Sequence, residues 1–64
     1  MNYLDNTSFI FGDEVRVTAG FYKGQCGFVR NYEKNKSNDM LIYSIRVTDD
    51  LWLDIPEVLL EKIN

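Results

Sequence analysis

Hydrophobic and polar residues alternate with a period of two along most of this chain. Val15 and Val17 are set between Glu14, Arg16 and Thr18; Tyr43, Ile45 and Val47 are separated by Ser44 and Arg46; Leu51, Leu53 and Ile55 by Trp52 and Asp54. Successive side chains of a strand point to opposite faces, so each run predicts a strand with one face buried and the other in water. A further strand is predicted over residues 25–32, and the third run extends from residue 40 to 47. In the fourth run the leucines and Ile55 point inward and the Trp52 indole outward. In the second, Val29 inside places Phe28 at least partly outside.

The punctuation between the runs is equally specific. Gly20 and Gly24 bracket Phe21-Tyr22-Lys23, and glycine takes positive φ without a Cβ clash, so the chain can reverse there within a few residues. Gly27 shares a face with Val29, where a missing side chain suits a close backbone approach or a bulge. Residues 33–39 are polar and rich in Asn, Ser and Asp, which predicts the longest loop, and Thr48-Asp49-Asp50 predicts a tight turn. Pro56 ends the fourth strand.

The stretch Gly12-Asp13-x-Val15-Arg16-Val17-x-x-Gly20-x-x-Lys23-Gly24-x-x-Gly27-x-Val29 resembles a KOW motif. In that family the segment forms two strands and the loop between them in a small SH3-like barrel, which binds RNA or protein components of the transcription and translation machinery. The resemblance covers about residues 12 to 63. It implies an all-β fold, a five-stranded antiparallel SH3-like (KOW-type) barrel with one short helical turn within residues 56–63 before the last strand. Residues 1–11, ending in Phe9-Ile10-Phe11, are expected to be an N-terminal arm or an extra edge strand, and 12–64 the barrel.

Composition limits what such a module can do. With 64 residues the chain has room for one domain, and a domain of that size buries only about 60% of the surface its unfolded chain exposes. Its apolar and aromatic fractions, 45% and 14%, are those of a globular protein. The longest uncharged apolar runs, 9–11 and 58–60, fall far short of the roughly 20 residues of a membrane-spanning helix, and residues 1–11 lack the basic start and apolar stretch of a secretory signal. No membrane insertion and a cytoplasmic location are the expectations. There is no His, and the single Cys26 has no second thiol, so neither a metal site nor a cofactor is expected, and Cys26 reads as a small, partly buried hydrophobe. Nucleophile elbows, phosphate-cradling loops and clustered ligands are missing, and Asp49-Asp50 reads as a turn rather than a cation site, so no catalytic residue is assigned and an enzyme is not expected.

Charge is distributed in blocks around a net value of −3. Residues 15–46 carry Arg16, Lys23, Arg30, Lys34, Lys36 and Arg46 against Glu33 and Asp39. Residues 1–14 and 47–64 are acidic. Alternation directs Arg16, Arg30 and Arg46 outward, and adjacent strands are expected to gather them beside Lys23 on one basic face.

These features give a non-catalytic binding module with candidate residues Arg16, Phe21, Tyr22, Lys23, Phe28, Arg30, Arg46 and Trp52. The first expectation is a small adaptor or modulator docking on a protein component of a nucleoprotein machine such as RNA polymerase or the ribosome. A short acidic single-domain chain also resembles phage-encoded inhibitors of host machinery. The second is direct binding of single-stranded RNA, with Arg16, Lys23, Arg30 and Arg46 meeting phosphates while Phe21 or Tyr22 stacks a base. The third is a structural accessory subunit of a larger, photosynthetic complex, because stand-alone SH3-like barrels of this size occur there. Phe21, Phe28 and Trp52 together are a large apolar load for a free surface and point to a partner or a weak homodimer.

Overall fold

Alternation and turn chemistry build one five-stranded antiparallel sheet. In the computed structural model, which describes residues 7–63, the strands are β1 (Glu14–Val17), β2 (Cys26–Lys34), β3 (Leu41–Thr48), β4 (Leu51–Pro56) and β5 (Leu60–Lys62), with one 3₁₀ turn at Glu57–Leu59 before the last strand. The order across the sheet is β4-β3-β2-β1-β5. The first four strands follow one another as antiparallel neighbours, and β5 returns to pair with the far side of β1. The ladder is open: among the described residues no pairing joins β4 to β5, so these two are the edges.

The inward positions of the alternating runs form the core. Val15, Val17, Val29, Tyr43 and Ile45 are essentially inaccessible, and Phe9, Leu41, Leu53, Ile55 and Leu60 complete the cluster, with Val47 and Leu59 packed against it. Phe9, from the segment before β1, and Leu59 of the 3₁₀ turn add to this face from outside the strands. Gly27 shows how closely the strands approach. A Cβ built there would lie 2.7 Å from the Arg46 carbonyl oxygen, a backbone atom that cannot swing aside, which is the close approach its place beside Val29 predicts.

The described part of the N-terminal arm, residues 7–11, neither frays nor forms a strand. Phe9 is buried and meets the Tyr43 ring edge-on, with centroids 5.2 Å apart at 75°. The Ser8 and Phe9 amides donate to the Tyr43 hydroxyl at 3.2 and 3.4 Å. Just beyond, Gly12 N–H donates to the Val29 carbonyl at 2.8 Å and Val29 N–H to the Asp13 carbonyl at 2.9 Å, tying the chain to β2 before β1 begins. Residues 1–6, the rest of the expected arm, lie outside the described residues.

Two expectations about register need correction, and both come from bulges. Leu51 was expected inside, but it is 36% exposed. Arg46 pairs with Trp52 and Thr48 with Leu51, leaving Val47 as an extra residue at the mouth of the β3–β4 hairpin, so inward alternation holds only from Leu53 on. In β2, Phe28 and Val29 pair with Arg46 and Ile45, whereas Asn31 and Tyr32 pair with Ser44 and Tyr43. Arg30 is therefore the extra residue there. β2 also continues to Lys34, which shortens the polar loop to a tight reversal in which Asp39 N–H donates to Asn35 C=O at 2.8 Å and Asp39 adopts φ 60°.

Candidate functional site

The β1–β2 loop is built by its glycines. Gly24 N–H donates to the Val17 carbonyl at 2.8 Å and Val17 N–H to the Gln25 carbonyl at 2.8 Å, so two residues face one. Gly24, at φ 94°, takes the left-handed position of this bulge. Turns close from Gly20 C=O to Lys23 N–H at 3.2 Å and from Tyr22 C=O to Gln25 N–H at 3.0 Å. This frame holds Phe21 in water, 93% exposed, against the edge of Tyr22 with ring centroids 4.9 Å apart at 85°. Lys23 is exposed at the same tip.

A second group forms on the outer face of the sheet. Phe28 of β2 pairs with Arg46 of β3, and Arg46 pairs with Trp52 of β4, so three adjacent strands place these side chains in one row. Phe28 is 43% and Trp52 52% exposed, and exposed Leu51 adjoins the row. Directly opposed residues on one face lie within about 5 Å of each other at Cβ, so the guanidinium stem of Arg46 is flanked by an aromatic side chain on each side. Its charge meets Asp49 at 3.6 Å.

The other arginines are occupied elsewhere. Arg16 opposes Glu61 across β1 and β5 and donates to its carboxylate through Nε at 2.8 Å and through Nη2. The hydrogen bond from Glu61, then its charge, holds the guanidinium above its ordinary pKa. Arg30, displaced by the bulge, lies over the Phe11 ring with Cζ 4.6 Å from the centroid. It lines a cavity of about 370 Å³ between β2 and the Phe9–Phe11 segment. The structure thus brings Phe28, Arg46 and Trp52 together and sets Phe21, Tyr22 and Lys23 at a loop tip. It does not gather Arg16, Arg30 and Arg46 into one basic face.

Leu51 and Phe11 are two surface residues beside the candidate groups that sequence reasoning missed. Leu51 is exposed because of the Val47 bulge, which no turn residue announces. Phe11 was seen only as part of an apolar run, and its pairing with Arg30 depends on the second bulge.

Cys26 is a half-buried free thiol whose Sγ lies 3.8 Å from the Gly24 carbonyl. Among the described residues no three His, Cys, Asp or Glu side chains are grouped to hold a metal ion, and no helix is long and apolar enough to cross a membrane. No protein-family model matches the chain, and comparison with curated proteins and with solved structures returns no match.

Proposed function

We propose that this chain is a non-catalytic binding module, an SH3-like barrel of the KOW type, that docks on a protein component of a nucleoprotein machine such as RNA polymerase or the ribosome. The observation that carries the reading is the outward row Phe28–Arg46–Trp52 with Leu51 beside it. Exposed tryptophan, aromatic and arginine side chains in one patch are what interface hot spots are made of, and singly scattered apolar residues are not. The state of the arginines supports a protein over a phosphate backbone. Arg16 is spent on Glu61, Arg46 faces Asp49, and the net charge is −3, whereas binding to phosphate chains draws on uncommitted cations. The strand order and the 3₁₀ turn before β5 agree with the barrel that the glycine pattern resembles.

Direct RNA binding is the second reading, favoured by one specific observation: Phe21 stands 93% exposed beside Lys23 on a hydrogen-bonded loop, the arrangement of a base-stacking platform. Affinity capture of the tagged protein from lysate after nuclease treatment separates the two. Docking through the outer face predicts a partner protein that survives nuclease, is lost with Trp52→Ala or Phe28→Ser, and is kept with Phe21→Ala plus Lys23→Ala. The reverse pattern would establish the RNA reading.

A further inference from the structure

We propose that the partner contributes an extended segment that adds to the sheet along β4, with arginine or lysine on the face toward Trp52 and Asp54 and aliphatic residues on the other. This deepens the docking reading and rests on it. The two edges of the sheet differ. β5 has only three residues, two of them the charged Glu61 and Lys62, and short charged edges resist pairing. β4 has six, carries Leu51 and Trp52, and contains no lysine. Among the described residues, no backbone hydrogen bond of a turn, loop or cap involves residues 51–55. Pro56, which lacks an N–H, closes the far end, so the edge open to pairing is Leu51 to Ile55.

Side-chain chemistry then selects the occupant. Asp54 is exposed and accepts from the Ser44 hydroxyl at 2.9 Å, and exposed Asp49 and Asp50 form the adjoining turn, Asp49 with Arg46 as its counter-charge at 3.6 Å. A second copy is a poor occupant. Pairing β4 antiparallel with itself so that Trp52 meets Trp52 brings the turn residue Asp50 of each copy to Asp54 of the other, and like charges brought together at the ends of a ladder destabilise it. A basic strand turns the same carboxylates into attraction, and its guanidinium groups can lie over the Trp52 ring. Its aliphatic face continues the core past Leu53 and Ile55. Strand addition of this kind takes affinity from main-chain hydrogen bonds and selectivity from alternate side chains.

The test uses the full chain and capped heptapeptides alternating arginine and valine or glutamate and valine, read by the emission of Trp52, the sole tryptophan. The expected result is a blue shift with the arginine peptide, slowed amide exchange along β4, and affinity reduced about tenfold by Asp50→Asn plus Asp54→Asn. An arginine peptide N-methylated at alternate amides is expected not to bind. Equal binding of the glutamate or N-methylated peptide would overturn strand addition and leave the docking face standing. So would failure of every peptide while Trp52→Ala still abolishes protein capture. Concentration-dependent self-association through β4, or an emission shift with single-stranded oligonucleotide alone, would also overturn it. Protein capture unchanged by Trp52→Ala would sink the docking reading itself.

Discussion

The buried Tyr43 hydroxyl donates to a carboxylate oxygen of Glu57 at 3.1 Å, and that same oxygen accepts from the Ser8 amide at 3.1 Å. One side chain of β3 therefore ties the 3₁₀ turn before β5 to the segment before β1, at a point where the sheet itself supplies no ladder. The phenol also accepts from the Ser8 and Phe9 amides, so removing it leaves the Phe9 amide without its partner, while the Ser8 amide and Glu57 keep each other.

Tyr43→Phe is expected to cost about 1–2 kcal/mol of stability, the penalty for unsatisfied polar groups in a part-buried site. Burial is the main cause that raises the Tyr43 pKa above the ordinary 10.0; the Phe9 amide opposes it and Glu57 adds to it. A raised folded pKa means that the folded state favours the protonated phenol. This contribution is full below pH 10 and declines as the pH rises from there through the folded value. Denaturation midpoints measured from neutral to alkaline pH should fall more steeply for the wild type than for Tyr43→Phe in that upper range.

Gly27→Ala places a methyl group 2.7 Å from the Arg46 carbonyl oxygen. Because the obstacle is backbone, β3 must shift, and a loss of about 1–3 kcal/mol is expected. In a domain this small that is a large share of the total, so thermal unfolding should show a strongly lowered Tm.

Trp52→Ala removes a half-exposed ring and should change stability by less than about 1 kcal/mol, whereas Leu53→Ala, one position away and buried, should cost about 2–5 kcal/mol. Chemical denaturation of the two variants separates surface from core. A Trp52→Ala variant as unstable as Leu53→Ala would show that the indole serves the fold.

Arg16→Ala should leave both the folded structure and protein capture essentially unchanged, because its guanidinium is committed to exposed Glu61. Should the module bind RNA through its loop, Lys23→Ala will weaken that binding and reduce the salt slope by about 0.7, the value for one contact on a single strand. Fluorescence anisotropy with a labelled oligonucleotide over a salt series measures both.

Much of this arrangement is legible in the sequence. Period-two alternation located β1, β3 and β4, put Tyr43 and Ile45 inside, and turned Phe28 and Trp52 outward, because the signal resides in the residues themselves. The close approach at Gly27 was legible for the same reason: only an absent side chain fits beside another strand's backbone. What escaped were the bulges at Arg30 and Val47. A bulge inserts one residue without a required residue type, and one residue changes the face of everything beyond it. That is why Leu51 was expected inside, and why Arg30 was expected beside Arg16 and Arg46 when it lies over Phe11. The salt bridge from Arg16 to Glu61 was hidden too, since it depends on β5 pairing with β1 across 45 residues of chain.

Hydroxyl-radical footprinting of the captured complex after nuclease treatment, against the free protein, tests the docking face most directly. Both Trp52 and Phe28 are reactive side chains standing in water in the free chain. The account predicts that their oxidation falls sharply in the complex while that of Phe21 stays near its free level. Unchanged oxidation of Trp52 and Phe28, with protection confined to Phe21 and Tyr22, would contradict it and place the binding surface on the loop.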